Sequence, residues 1–174
     1  MEKKTVTTIL VVLIILLAIS GIWFLKNENK TNLPAQEEIV ASPNFEVGKD
    51  FDIEELKQEG LPIILDFGAD YCPPCKELKP ILQKLSAELE GKALIRYVDT
   101  EKYPGIASKY PVSVIPTQVL INADGTPYKV PEKQDGSYME YLDRKTQEHA
   151  LTVHVGIWTE EQVRTLLKEM GMNE

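Results

Sequence analysis

Cysteine and histidine are both scarce, with two of each in 174 residues. Two cysteines, Cys72 and Cys75, do not make a disulfide scaffold, which spreads several pairs through a chain. They also fall short of a zinc site. The other ligands would have to be His149 and His154, far along the chain on a stretch that reads as a strand, where the two face opposite sides. No metal and no cofactor are expected. Positive charge is lacking too: 27 acidic residues against 19 basic give −8. Within residues 1–30, Lys3, Lys4, Lys26 and Lys30 against Glu2 and Glu28 leave +2, so the remainder carries −10. So acidic a domain repels phosphate backbones, and no nucleic acid partner is expected. What is present in quantity is apolar: 43% of the residues, enough for a packed core in one domain with additions.

Charge is missing altogether from residues 5–25, a run of 21 apolar or neutral side chains. As a helix such a run is about 30 Å long, the thickness of a bilayer core. Trp23 suits an interfacial position, and Lys3 and Lys4 ahead of the run favour an N-in, C-out orientation. Cleavage after Ala18-Ile19-Ser20 is the alternative, but the apolar run continues for five residues beyond it, which favours retention. No cysteine follows to take a lipid. Residues 26–44 are polar, with Pro34 and Pro43, and read as a tether. The expected organisation is a cytoplasmic tail at 1–4, a transmembrane anchor at 5–25, a linker at 26–44 and a domain at 45–174. The protein is expected in the cell membrane as a single-pass monomer, with the C-terminal domain on the extracytoplasmic side.

Within the domain, residues 50–59 read as a short amphipathic helix stopped by Gly60, and residues 61–67 as a buried strand. Leu78, Ile81, Leu82, Leu85 and Leu89 form one helical stripe that Gly91 ends and Pro80 should bend. Strands are expected over 93–98 and 117–121, with one or two helical turns over 104–110 between them. Residues 122–125, Asn-Ala-Asp-Gly, read as a hairpin-type turn. Residues 126–149 read as an irregular insert with a hairpin element, although Ser137 and Glu140 also have capping-box spacing. Leu151, Val153 and Val155 alternate with Thr152 and His154, the pattern of a half-exposed strand. Thr159 and Gln162 cap a last helix with Val163, Leu166, Leu167 and Met170 on its stripe and Gly171 at its end. Elements in this order build an α/β sheet with helices on both faces.

The chemistry sits in Cys72-Pro73-Pro74-Cys75. The motif follows a strand and opens a helix, so Cys72 falls in the N-cap region, where free N–H groups and the helix dipole favour a thiolate. Cys75 lies one turn on, within disulfide range. Prolines suit a first turn, which has no use for their missing N–H groups.

The segment Asp66-Phe67-Gly68-Ala69-Asp70-Tyr71-Cys72-Pro73-Pro74-Cys75-Lys76 resembles the active-site segment of the thioredoxin family. So do Pro80, the run 104–110 followed by Ile115-Pro116-Thr117, and Val155-Gly156 before the last helix. The resemblance covers roughly residues 45–174. It implies the thioredoxin fold, a central mixed sheet with helices on both faces, here after an N-terminal transmembrane helix. It implies that Cys72 is the exposed attacking thiolate, Cys75 the buried resolving thiol and Asp66 a buried carboxylate beneath them that takes the Cys75 proton. Pro116 is expected to be cis, holding Ile115 where a substrate strand adds, and Gly156 to leave room beside that groove. Tyr71 stands where many thioredoxins have Trp and reads as a groove wall. Pro73 replaces the usual Gly at a position that tunes redox potential in the family. Family members often carry a Lys near the buried Asp; counting back from Asp99 puts Ile95 there.

The function these features imply is a membrane-anchored thiol–disulfide oxidoreductase that reduces disulfides of exported proteins and takes electrons from a membrane thiol donor. A disulfide-forming oxidase, and a metal-binding or docking module without redox turnover, are the alternatives.

Overall fold

The computed structural model describes Leu17, residues 42–131 and residues 136–173. The chain divides into residues 1–38 and 39–174. The expected span at 5–25 lies, Leu17 apart, outside the described residues. Among the described residues no helix is long and apolar enough to cross a membrane.

A mixed five-stranded sheet is the frame, in the order β2-β1-β3-β5-β4. Its strands are β1 (Ile63–Gly68), β2 (Leu94–Asp99), β3 (Thr117–Ile121), β4 (Tyr138–Leu142) and β5 (His149–Val155). Only β1 and β2 are parallel; β3 and β5 run antiparallel to their neighbours, as does β4. All six residues of β1 and all five of β3 are buried, because helices cover both faces at the centre. On one face α2 (Pro73–Glu88) and α4 (Glu160–Glu169) bring Leu78, Leu82, Leu85, Val163, Leu166 and Leu167 onto Ile64, Ile95 and Leu120. On the other, α1 (Ile53–Lys57) and α3 (Pro104–Ala107) bring Ile53, Leu56 and Ile106 onto Leu65, Phe67, Val98 and Val119.

The helices end as local chemistry dictates. In α4 the Thr159 hydroxyl accepts from the Gln162 N–H at 3.3 Å, and the Gln162 side chain accepts from the Thr159 N–H at 2.8 Å. α2 continues through Pro80 to Glu88. α3 stops at Ala107, short of the expected 110.

Residues 122–125 turn the chain as expected, with the Gly125 N–H donating to the Asn122 carbonyl at 2.9 Å and an antiparallel bridge from Ile121 to Pro127 beyond the turn. β5 differs from expectation and is not half-exposed: Thr152, Val153 and His154 are all buried. Thr152 and His154 point to the face that Leu120 shares with α2 and α4, where Tyr128 and Trp158 cover them, while β4 pairs along the outer side of β5. Thr152 then donates its hydroxyl to the Tyr128 carbonyl, and His154 turns inward.

Candidate active site

β1 delivers the chain to the dithiol, and α2 starts on it. Cys72 is the N-cap of α2, in extended backbone, with Pro73 and Pro74 filling the first turn. Cys72 and Cys75 are joined as a disulfide, their Cα atoms 5.3 Å apart. The Cys75 N–H donates to Cys72 Sγ at 3.3 Å. In the reduced protein that bond and the open end of α2 stabilise negative charge on Cys72. Cys72 Sγ rests 3.6 Å from the Ile115 carbonyl oxygen. In the disulfide form Cys72 is 5% exposed and Cys75 2%, so the first sulfur is less open than expected.

Asp66 is fully buried on β1, facing α2. Burial pushes its carboxyl up to about 7; the Gln118 hydrogen bond and the Lys79 ammonium oppose the rise without cancelling it. Oδ1 accepts from Gln118 Nε2 at 2.8 Å. Oδ2 is buried and has no hydrogen-bond partner among the described residues.

The Ile115–Pro116 peptide is cis. Pro116 is buried, and its carbonyl accepts from the Gly156 N–H at 3.2 Å, tying the start of β3 to the end of β5. Beside the disulfide a groove of about 540 Å³ is lined by Tyr71, Thr100, Pro104, Ala107, Ser108, Tyr110 and residues 112–115. Tyr71 stands out as its wall, 66% exposed. Tyr71 and Ile115 therefore come together at this groove, while Pro73, Pro116 and Gly156 are not among its lining. Gly156 is required by the backbone conformation. A Cβ there would meet only His154 Cε1, at 3.6 Å, but φ is +127°, a conformation side-chain-bearing residues avoid.

The thioredoxin family pattern matches residues 43–144. A thioredoxin of Rickettsia bellii is 36% identical over 96 residues, 55% of this chain and 90% of that protein. A thioredoxin of Staphylococcus aureus is 40% identical over 78 residues, 45% of this chain and 73% of that protein. The chain belongs to the thioredoxin family. It is a thiol–disulfide oxidoreductase with its cysteine pair at disulfide distance, on a five-stranded thioredoxin-like fold.

This thioredoxin-family site contains groups that the sequence did not flag. No lysine comes from Ile95, which is buried and pairs with Ile64. The cation arrives instead from α2: Lys79 Nζ lies 4.1 Å over the Tyr97 ring and 2.7 Å from Glu46. Tyr97 itself, read only as part of a strand, is opposite Asp66 in register. Burial, and then the Asp66 charge, push its hydroxyl pKa up. The ring fits because residue 68 is glycine: a Cβ there would stand 2.9 Å from Tyr97 Cε2 and 3.3 Å from Cys75 Cβ. Both neighbours are buried and cannot swing away. Gly68→Ala should therefore cost about 1–3 kcal/mol, the usual scale of overpacking, measurable by denaturant unfolding. A melt equal to wild type would show that Tyr97 gives way freely.

Proposed function

We propose that this oxidoreductase is held at the cell membrane by residues 5–25 and reduces disulfides of exported proteins on the outer face. The observation that carries the placement is the 21-residue run free of charge behind Lys3 and Lys4, followed by a polar tether. The reducing direction is supported by the family relationship and by the buried Asp66 beneath an N-capping cysteine. The Cys72 thiolate attacks a substrate disulfide, and one substrate sulfur leaves as thiolate to be protonated by water. A Cys72–substrate disulfide remains. Cys75 gives its proton to Asp66 and attacks Cys72 Sγ; the Cys72–Cys75 bond forms and the second substrate sulfur leaves. Two electrons have moved from the dithiol to the substrate. A membrane dithiol donor restores them by the same exchange in reverse.

The test has two parts. A membrane-impermeant maleimide added to intact, reduced cells should label Cys72. The full chain in detergent, supplied with a dithiol, should reduce insulin. Protection of Cys72 in intact cells would sink the placement; failure on insulin would sink the reducing direction. Equilibration with glutathione reads the same direction. The reduction potential should fall near that of thioredoxins, about −270 mV, and a value near about −120 mV would make the protein an oxidase.

A further inference from the structure

Four register pairs, read across the sheet, connect into one row. Tyr97 on β2 is opposite Asp66 on β1, Asp66 opposite Gln118 on β3, Gln118 opposite His154 on β5, and His154 opposite Tyr138 on β4. All five strands contribute, and each member is polar or aromatic at a position where a sheet under two helices would ordinarily carry an aliphatic side chain. Asp66 and Gln118 are fully buried and His154 is 5% exposed. Hydrogen bonds join the middle of the row. His154 Nδ1 lies 2.6 Å from Gln118 Oε1, and Gln118 Nε2 lies 2.8 Å from Asp66 Oδ1 and 3.2 Å from the Gly156 carbonyl oxygen.

The direction of these bonds follows from their ends. The Gly156 carbonyl and the Asp66 carboxylate only accept, so the NH₂ end of Gln118 must face them. Its Oε1 must then face His154, and His154 must carry a hydrogen on Nδ1. That holds whether or not the imidazole is charged. The ring is in turn held by aromatic contacts, stacked on Trp158 with centroids 4.1 Å apart and tilted against Tyr138 at 4.7 Å.

We infer that Gln118 and His154 are positioning residues for Asp66, and that the inserted strand β4 acts on the dithiol through them. His154 orients the Gln118 amide. The amide occupies Asp66 Oδ1, so the proton that Asp66 takes up is carried on Oδ2, the oxygen without a partner among the described residues. The carboxylate is held in one orientation in a strand that ends at Gly68, against Cys75. The insert thereby has a mechanical purpose: it supplies Tyr138, one side of the clamp on His154. Among the described residues, Lys79 and Cys75 of α2 face this row, Glu46, Asp70 and Asp99 act on its Tyr97, and Tyr128 lies by its Tyr138. Glu161 and Glu169 of α4 line the cavity shared by Tyr138 and Trp158.

The inference deepens the proposed site and rests on reading Asp66 as the proton acceptor, so its readout is chosen to need no turnover. The Asp66 carboxyl carbon is titrated by NMR in the full-length, oxidised protein in detergent micelles, where neither sulfur ionises. Gln118→Leu removes the donor and should move the midpoint alkaline by about one pH unit. His154→Phe keeps the aromatic stack and loses the Nδ1 hydrogen; it should move the midpoint the same way by less. His154→Asn restores a donor at that place and should return the midpoint towards wild type. The acid limb of the resolving step, where Asp66 is already protonated and cannot act as base, should follow these shifts. Gln118→Glu, nearly isosteric, is the substitute if Gln118→Leu does not fold, and should shift further because it sets a second carboxyl against Asp66. A wild-type midpoint in Gln118→Leu or Gln118→Glu overturns the inference, as do equal shifts in His154→Phe and His154→Asn. If the carboxyl shifts as stated but wild type does not reduce insulin, the network stands and the functional reading falls.

Discussion

At pH 8 the oxidised Asp66→Asn protein is expected to be about 4 kcal/mol more stable to denaturant than wild type, and at pH 4 nearly equal to it. The reason is linkage. Burial raises the folded carboxyl to about 7, whereas in the unfolded chain it titrates in the ordinary range near 4. Between those values the native state keeps a proton that the unfolded state has lost. Stability attributable to this group is therefore complete below about pH 4 and falls as pH rises to about 7, beyond which the full cost of a buried charge is present. Three pKa units at about 1.4 kcal/mol each give the magnitude. Asn is neutral throughout and keeps an acceptor for the Gln118 amide, so the advantage over Asp is an advantage over charged Asp only. Lys79 and Gln118 already relieve part of that charge, and their contribution is included in the folded value. Unfolding at both pH values checks this. A difference that does not vary with pH would mean that Asp66 is not the titrating group. The same substitution should slow resolution by Cys75, since a general base contributes about 10²–10⁴ in rate. Asp66 costs stability at neutral pH and is retained for the proton it can take.

Legibility from sequence divides along the same physical line as the site. Whatever depends on neighbours within a turn was readable: the Cys72 N-cap with its prolines, the Thr159–Gln162 capping box, the apolar stripes of α2 and α4, and the burial of Asp66 in an apolar strand. The cis Ile115–Pro116 peptide came from family resemblance; propensity favours trans. What depends on which strand lies beside which was not readable. Alternation marked His154 and Thr152 as exposed because the period of a strand says nothing about which elements cover each of its two faces. Gln118 had no reading of its own within the strand expected over 117–121, and Gly68 entered only as part of a motif. Each makes sense only when β2, β1, β3, β5 and β4 are placed in order and their registers aligned. The cation near Asp66 was sought on β2, where the family carries it, and is supplied from α2 by Lys79. A charge within reach of a buried group can be delivered from any element packed over it, so strand register alone does not locate it.

Cys75→Ser should convert the enzyme into a trap, and Cys72→Ser should abolish turnover. The two cysteines differ in what surrounds them. Cys72 stands at the open end of α2, with the Cys75 N–H on its sulfur and the groove of Tyr71 and Ile115 beside it. Cys75 is inside the first turn, against Gly68 and near the row that holds Asp66. Only the first sulfur is placed to meet a substrate strand, so Cys72→Ser should lower insulin reduction to background, a loss of at least about a thousandfold, as when a catalytic nucleophile is removed. Cys75→Ser leaves the attack by Cys72 intact and removes the thiol that completes the exchange. The Cys72–substrate disulfide then persists until an external thiol breaks it. Non-reducing gels of cells carrying that variant should show adducts that dithiothreitol dissolves and that are missing from the Cys72→Ser, Cys75→Ser double variant. Adducts formed equally well by Cys72→Ser would reverse the order of the two sulfurs. The captured proteins also bear on the placement: on the outer face they are exported proteins, whereas a catch of cytosolic proteins would put the domain on the other side of the membrane while leaving its chemistry as described.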